Sequence, residues 1–236
     1  MKIIGLSILH YGSDYLGDAI WSISDAVDEH HIIYSKQPSF SFTTGLKCPD
    51  TEEQLRDIAE SANNKIVWHS YESFGHEGHH RNEIKRFTNV KDMIVVVDAD
   101  EIWDKADLDR SITEAANTKA RNFNINGFVN FWKSFDYVVI DWFQPTRIYR
   151  YDQPNETKVL NATIYHLGYM ITPEAMRYKL SIHGHRNDIE AVHGSADKYF
   201  DKWLNWDKPG CGIVDLHPAS ETIWHDAELY KGKLPR

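Results

Sequence analysis

The most informative segment of the chain reads Ile94-Val95-Val96-Val97-Asp98-Ala99-Asp100-Glu101-Ile102-Trp103. The purely apolar run Met93–Val97 is typical of a strand that is covered on both faces, so we expect it near the centre of a sheet. Side chains at positions i and i+2 of extended backbone point to the same side, so Asp98 and Asp100 can converge on one point. Ligands bind at the carboxyl ends of such strands, which makes this acid pair the first candidate site.

Two carboxylates at one strand end repel each other unless a cation lies between them. All-oxygen ligation suits Mg²⁺ or Mn²⁺, and such an ion would neutralise a bound diphosphate and make it a better leaving group. The alternative is that Asp98 and Asp100 only end a strand on a solvated loop, because a bare Asp-x-Asp is a weak pattern among 35 acidic residues. The four aliphatic residues before the pair favour the metal site.

Upstream of this segment, strands and helices alternate. This order predicts a doubly wound, mostly parallel α/β sheet with right-handed crossovers. A capping box of Thr51 and Gln54 marks the start of the second helix. The predicted strands are Ile3–His10, His31–Tyr34 and Ile66–His69, and the predicted helices are Tyr15–Ala26, 51–61 and Arg81–Thr88.

Downstream, the pattern changes to a mixed, partly antiparallel half. A helix over Asp104–Asn117 is followed by three predicted strands without helices between them, and Thr172-Pro173-Glu174 is a strong helix start. Those strands are Phe123–Phe131, Tyr137–Ile140 and Arg147–Tyr151. Because no linker or repeat interrupts the chain, we expect a single domain over 1–236, with 1–103 and 104–236 as its two halves.

Composition narrows the class of function. The 236 residues are 42% hydrophobic and 26% charged, as in an ordinary globular protein, and the net charge of −9 disfavours a general nucleic-acid binder. No apolar stretch approaches the ~20 residues that a membrane helix needs. The N-terminal apolar run is short and has no cleavage site after it, so we expect a buried strand there and a cytoplasmic location.

At this point the chain resembles glycosyltransferases of the GT-A fold, in particular families 2 and 17. The resemblance covers roughly residues 3–185 and rests on the strand that ends in Asp98-Ala99-Asp100-Glu101 and on three further segments. These segments are His10–Leu16, Arg147–Arg150, and His166-Leu167-Gly168-Tyr169 with Glu174, Lys179 and His183 after it. The resemblance implies a metal-dependent transfer from a nucleotide-diphosphate sugar to a hydroxyl, with 1–103 binding the donor and 104–236 the acceptor.

The resemblance also suggests residue roles. Asp98 would contact the ribose or the metal and Asp100 the metal, while His10 and Tyr11 would begin the nucleotide pocket. His166 is the first candidate for a third ligand of Mn²⁺ or Mg²⁺, and His217 and His225 are the alternatives. An Asp-rich segment after the second strand is replaced by Ser35–Pro38, and no Gln-x-x-Arg-Trp motif of processive synthases is present, which favours addition of a single sugar.

An inverting transfer needs a base that deprotonates the acceptor hydroxyl. Asp188 lies where inverting relatives keep theirs, and Asp141 is the second candidate. If neither is essential, a retaining mechanism is favoured. Trp103, Trp132 and Trp142 are candidate platforms for a sugar ring, and the acceptor is expected to be a glycan or another hydroxyl, with a modified base left open.

A rival pattern lies in His76-Glu77-Gly78-His79-His80, which matches the His-Glu-x-x-His of zinc peptidases. That motif needs a stable helix, whereas Gly75 and Gly78 favour a loop over the nucleotide pocket. Arg81 and Lys85 would then lie one turn apart and approach a diphosphate. A nucleotidyltransferase acting on a sugar phosphate and a non-catalytic sugar-binding module are further alternatives, and the first would need a Gly-rich basic loop that His10–Asp14 lacks.

Overall fold

A computed structural model of the protein describes residues 1–39, 44–219 and 224–235. The predicted α/β alternation of the first half is confirmed. Its elements are β1 (Ile3–Leu9), α1 (Leu16–Ile23), β2 (Glu29–Ser35), α2 (Glu52–Ala62), β3 (Ile66–Tyr71), α3 (Glu77–Asn82), a 3-10 helix (Glu83–Arg86) and β4 (Met93–Val96). The helix predicted over Arg81–Thr88 is wrong in its bounds, because α3 begins earlier and tightens into the 3-10 turn.

The second half is mixed, as predicted. Its elements are β5 (Glu101–Trp103), α4 (Lys105–Asn117), β6 (Asn122–Trp132), β7 (Ser134–Val139), β8 (Thr146–Arg150), β9 (Thr157–Tyr169), α5 (Pro173–Ile182), α6 (Arg186–His193), α7 (Ala196–Asn205) and β10 (Glu228–Leu229). The predicted start of α5 is confirmed, since Thr172 Oγ1 accepts a hydrogen bond from the Ala175 N–H (3.2 Å) and Pro173 is the first helical residue.

All the strands in the described ranges belong to one sheet, whose main path runs β10-β7-β6-β8-β4-β1-β2-β3. The pairs β1–β2, β2–β3 and β1–β4 are parallel, whereas β8 pairs antiparallel with β4 and joins the two halves. The long β9 pairs parallel with β6 and antiparallel with β5. Strand order reverses at β1, because β2 lies on one side of it and β4 on the other, and such a switch point leaves a crevice at the carboxyl ends of the strands.

Both faces of the parallel region are covered, which explains its continuous apolar strands. Ile32 packs with α1 and α2 on one face, while the next residue, Ile33, packs with Ile84 of the 3-10 helix on the other. Trp103 and Trp132 are fully buried in two of the core clusters. The prediction that these two tryptophans are sugar platforms is therefore wrong. Among the helices in the described ranges, none combines the length and the apolarity that crossing a membrane would require.

Candidate active site

A cleft of about 650 Å³ opens at the switch point between β1 and β4. It brings together residues from the segments after β1, β2 and β4, from α3, and from β9, α5 and the segment after α5. The lining residues that carry polar or aromatic groups into it include His10, Tyr11, Arg81, Asp98, Asp100, His166, Lys179 and His183. The cleft therefore lies at the carboxyl ends of the strands, where the sequence analysis places its first candidate site.

The loop after β1 is fixed on both sides. The Asp50 carboxylate accepts hydrogen bonds from the N–H groups of Gly12 (2.7 Å) and Ser13 (3.0 Å). Gly12 has φ of +136°, and a Cβ there would lie 2.8 Å from the Cβ of Ala99, so only glycine lets this loop meet the acidic loop. Its neighbour His10 bonds the Ser35 carbonyl oxygen through Nδ1 (2.8 Å) and the Tyr178 hydroxyl through Nε2 (2.7 Å).

Tyr11 completes this wall of the cleft by packing edge-on against Tyr178, with ring centroids 5.4 Å apart. Burial, with a smaller contribution from Asp100, raises the pKa of the Tyr11 phenol well above its ordinary value. Tyr11 therefore stays neutral and offers the cleft an apolar ring face and a hydroxyl.

Asp98 is held by two arginines. Its Oδ2 accepts hydrogen bonds from Nη2 of Arg81 and Nη2 of Arg147, each at 2.9 Å, and Arg147 also donates through Nε to the buried Glu101 (2.8 Å). Burial acts to raise the pKa of Asp98, but the two guanidinium groups outweigh it and the pKa lies below its ordinary value. Within the described residues, Asp98 Oδ1 is buried without a hydrogen-bond partner. Its charge is thus already neutralised by the protein.

Asp100 lies in a different environment. Its Oδ2 is 3.1 Å from Nζ of Lys179 and 3.5 Å from Nε2 of His166. Burial acts to raise the pKa of Asp100, but Lys179 and His166 outweigh it and hold the pKa well below its ordinary value. Asp100 is therefore an ionised carboxylate that faces the cleft.

One glycine allows these three groups to meet. A Cβ on Gly168 would lie 2.5 Å from Lys179 Nζ, 2.6 Å from Asp100 Oδ2 and 2.7 Å from His166 Cε1. Such distances are far inside van der Waals contact, so any other residue at this position would push the three groups apart.

A hydrogen bond with Asn130 sets the tautomer of His166. Its Nδ1 lies 2.7 Å from the amide oxygen of Asn130, so Nδ1 carries the proton and Nε2 faces Asp100. A neutral imidazole would place a nitrogen lone pair against a carboxylate oxygen, which is repulsive unless a proton or a metal ion lies between them. The ring also stacks on Phe128, with centroids 5.1 Å apart.

The spacing of Asp100 and His166 fits a shared divalent cation. Two ligands of an octahedral ion with bonds of about 2.1 Å lie about 3 Å apart, close to the 3.5 Å seen here. In the described part of the chain, however, no group of three or more His, Cys, Asp or Glu side chains forms a metal site. The described His, Cys, Asp and Glu side chains thus offer two ligands at most here, and the substrate and water would have to supply the others, which is how Mg²⁺ is usually bound beside phosphates.

The alternative histidine ligands lie elsewhere. His217 is buried and packs edge-on against Trp224, with centroids 5.0 Å apart, and His225 is exposed. Neither belongs to the described residues that line the cleft. The geometry therefore favours His166 over both.

The two candidate bases differ in their surroundings, and neither lines the cleft within the described ranges. Asp188, on α6, is 42% exposed and forms an ion pair with His185 (3.0 Å), which does line the cleft. The carboxylate of Asp141 accepts a hydrogen bond from the Phe143 N–H (2.9 Å). The pKa of the buried Tyr169 is raised mainly by burial, and the charges of Asp141 and Asp100 add to this effect. The role of both acids remains a prediction.

The zinc-peptidase pattern is not arranged as a metal site. Residues 76–80 were expected to form a loop, but this expectation is wrong, because α3 begins at Glu77 with His76 as its cap, whose Nδ1 accepts the Gly78 N–H (2.9 Å). His80 points into the protein, where its Nδ1 bonds the Ser39 hydroxyl (2.9 Å) and its Nε2 bonds the Ile33 carbonyl oxygen (2.5 Å). Both ring nitrogens of His80 are thus engaged, which excludes the peptidase arrangement.

Arg81 and Lys85 lie in different surface depressions. Arg81 lines the cleft, where it bonds both Asp98 and Glu77 (2.9 Å each). Lys85 lies over the ring of Tyr151, 4.7 Å from its centroid, in a separate surface depression. The expectation that both approach one diphosphate is therefore wrong for Lys85, since the 3-10 turn after α3 rotates it away.

An exposed aromatic loop borders this region. Between β7 and β8, Trp142 is 83% exposed, and its neighbours Ile140 and Phe143 are exposed as well. Phe143 contacts Phe128 edge-on, with centroids 6.0 Å apart, and Phe128 in turn stacks on His166. Of the three predicted platforms, only Trp142 has an exposed ring.

No protein-family model matches the chain, and no curated protein matches it. Among solved structures, S. aureus TarS is similar over 86% of this chain and 42% of its own length, with 16% identity and a TM-score of 0.47, so the chain spans less than half of that structure. The 1-349 form of S. aureus TarS in complex with UDP is similar over 87% of this chain and 71% of its own, with 16% identity and a TM-score of 0.46. Mannose-6-phosphate isomerase from Helicobacter pylori is similar over 86% of this chain and 79% of its own, with 11% identity and a TM-score of 0.42.

Proposed function

We propose that the protein is a glycosyltransferase that moves a single sugar from a nucleotide-diphosphate sugar to an acceptor hydroxyl. The observation that carries this proposal is the convergence of Asp100, His166 and Lys179 on Gly168, at the carboxyl end of the central strands. An ionised acid, an imidazole and an ammonium group around one point suit a diphosphate and its counter-cation better than they suit a neutral ligand.

In this proposal, Asp100 and His166 hold Mn²⁺ or Mg²⁺, which would supply the positive charge that stabilises the departing diphosphate. Asp98 orients Arg81 and Arg147 through the two hydrogen bonds to its Oδ2, so direct contact of Asp98 with the metal or the ribose would have to use Oδ1. His10 and Tyr11 would line the nucleotide side of the cleft. The net transfer breaks the bond from the sugar's anomeric carbon to the diphosphate and forms one to the acceptor oxygen.

The acceptor would approach from the second half of the chain, where Trp142 offers an exposed ring for a saccharide. An inverting reaction with Asp188 as the base, or Asp141 in its place, remains our expectation for this step. Either carboxylate would have to take up the proton that the acceptor hydroxyl loses.

The proposal is tested by incubating the protein with a panel of nucleotide-diphosphate sugars and Mn²⁺ and measuring the nucleoside diphosphate released. We expect turnover with at least one donor, its loss in chelator, and a fall of roughly 10²-fold or more in Asp100→Asn, because a charge that faces the diphosphate is removed. Asp109→Asn, a change at an exposed position on α4, is the matched control and should retain activity.

Undiminished turnover in Asp100→Asn or in chelator would contradict the metal site. Release of pyrophosphate from nucleoside triphosphates with a sugar phosphate, and no turnover of any nucleotide sugar, would instead indicate a nucleotidyltransferase.

A further inference from the structure

Lys179 occupies an unusual position beside the proposed metal pair. It projects from α5 and its side chain is 15% exposed, with Nζ 3.1 Å from Asp100 Oδ2 and 3.1 Å from the Gly168 carbonyl oxygen. Nζ also lies 5.5 Å from the centroid of the Tyr169 ring. An ammonium group has three N–H donors, and these two oxygens engage two of them. Lys179 lines the cleft, so the remaining donor is placed to meet an oxygen of a ligand.

The ammonium of Lys179 already neutralises the carboxylate that would bind a metal. At the floor of the cleft, the cations Arg81, Arg147 and Lys179 pair with Asp98, Asp100 and Glu101, and Glu77, which also pairs with Arg81, is one further anion. A divalent cation that entered this arrangement alone would bring two positive charges against this one surplus negative charge. A diphosphate brings the negative charges that make its entry favourable.

We propose that Lys179 is a binding residue for the β-phosphate of the donor and that, in the absence of the donor, its ammonium holds the place of the divalent cation beside Asp100. This inference rests on the proposed function, because it assumes a nucleotide-diphosphate donor in the cleft. When the donor binds, the flexible lysine stem lets Nζ turn to a phosphate oxygen, and Asp100 is released to the metal.

The arrangement has a consequence for the order of binding. The described His, Cys, Asp and Glu side chains supply at most two ligands, and Lys179 competes for one of them. Mn²⁺ therefore binds weakly without a diphosphate and strongly with it. Coupling of this kind is reciprocal, so Mn²⁺ also strengthens diphosphate binding by the same factor.

The test uses the whole chain, Mn²⁺ alone, and Mn²⁺ with inorganic pyrophosphate. Binding is followed by the relaxation rate of water protons, which responds when Mn²⁺ joins a slowly tumbling protein. The wild type should show little binding of Mn²⁺ alone and strong binding with pyrophosphate. In Lys179→Met, affinity for Mn²⁺ alone should rise about 10-fold to 100-fold and affinity for pyrophosphate should fall by a similar factor, because one charge-assisted hydrogen bond is lost in each case.

Two controls accompany this variant. Lys179→Arg keeps the positive charge, so it should exclude Mn²⁺ alone as the wild type does even if Lys179→Met proves unstable. Lys198→Met removes an exposed lysine of α7 and should leave both affinities unchanged.

Three outcomes are informative. Tighter binding of Mn²⁺ to Lys179→Met than to the wild type and the arginine variant supports the inference. Equal binding to all three, in a protein that does turn over nucleotide sugars through Asp100, overturns the inference and leaves the proposed function intact. Pyrophosphate binding that is absent from the wild type, together with no donor turnover, overturns both.

Discussion

The neighbouring acids Asp98, Asp100 and Glu101 have different ion-pair partners. Glu101 is buried and pairs with Arg147, while Asp98 shares that arginine and Asp100 faces Lys179. Burial raises the pKa of Glu101, and Arg147 opposes this effect. Removing one partner of a buried ion pair leaves an uncompensated charge, which is costly. These ion pairs therefore hold the loop after β4 in place.

The exposed ring of Trp142 leads to a prediction about the acceptor. Trp142→Ala should raise the KM for a saccharide acceptor about 3-fold to 10-fold, corresponding to about 0.5–1.5 kcal/mol for one aromatic contact, and should leave donor hydrolysis without acceptor unchanged. Steady-state kinetics with varied acceptor measures this difference. Trp21→Ala, at an exposed tryptophan on α1, is the matched control and should change neither parameter. An unchanged KM in Trp142→Ala would show that Trp142 is not a platform for the acceptor sugar.

At the scale of elements, local signals in the sequence predicted the helices and strands of the first half. The capping box is present, since Thr51 Oγ1 accepts the Gln54 N–H (3.2 Å), and the apolar run Met93–Val97 contains β4, which lies near the middle of the sheet's main path. The acid pair after it lines the cleft. These features depend on residues close together in the chain, which is why a single sequence reveals them.

Other elements depend on contacts that a sequence does not display. The long strand β9 runs from Thr157 to Tyr169 because it pairs with both β5 and β6. This strand brings His166 beside Asp100. Asn130, which fixes the His166 ring, comes from β6, and no local pattern marks it. Gly168 lies within the motif of the resemblance, but its close contacts depend on Lys179, which reaches it from α5.

At the scale of the whole molecule, the parallel core contains a histidine that links stability to pH. His30, on β2, is fully buried, its Nε2 bonds Ser7 Oγ (3.0 Å), and Ser7 donates to the Val97 carbonyl oxygen (2.7 Å). Burial lowers the pKa of His30 to about 3. Below its ordinary pKa of about 6.5, the unfolded chain takes up a proton that the folded protein does not, so stability falls as the pH decreases from 6.5 towards 3.

Between pH 7 and pH 5, the titration of His30 alone should lower the free energy of unfolding by about 2 kcal/mol. Chemical denaturation of the wild type and of His30→Gln at both pH values measures it, and the wild type should lose about 2 kcal/mol more than the variant over this interval. Comparing the two losses, rather than the absolute stabilities, separates titration from any packing defect in the variant. Equal losses would show that His30 is protonated in the folded protein.

The proposed donor site is tested most directly by X-ray diffraction at the manganese absorption edge, from crystals grown with Mn²⁺ and a nucleoside diphosphate. We expect one anomalous peak between Asp100 Oδ2 and His166 Nε2, with the diphosphate in contact with Lys179 and the nucleoside beside His10 and Tyr11. A nucleotide bound outside the cleft, or a diphosphate inside it with no manganese peak between Asp100 and His166, would contradict metal-dependent transfer at this site.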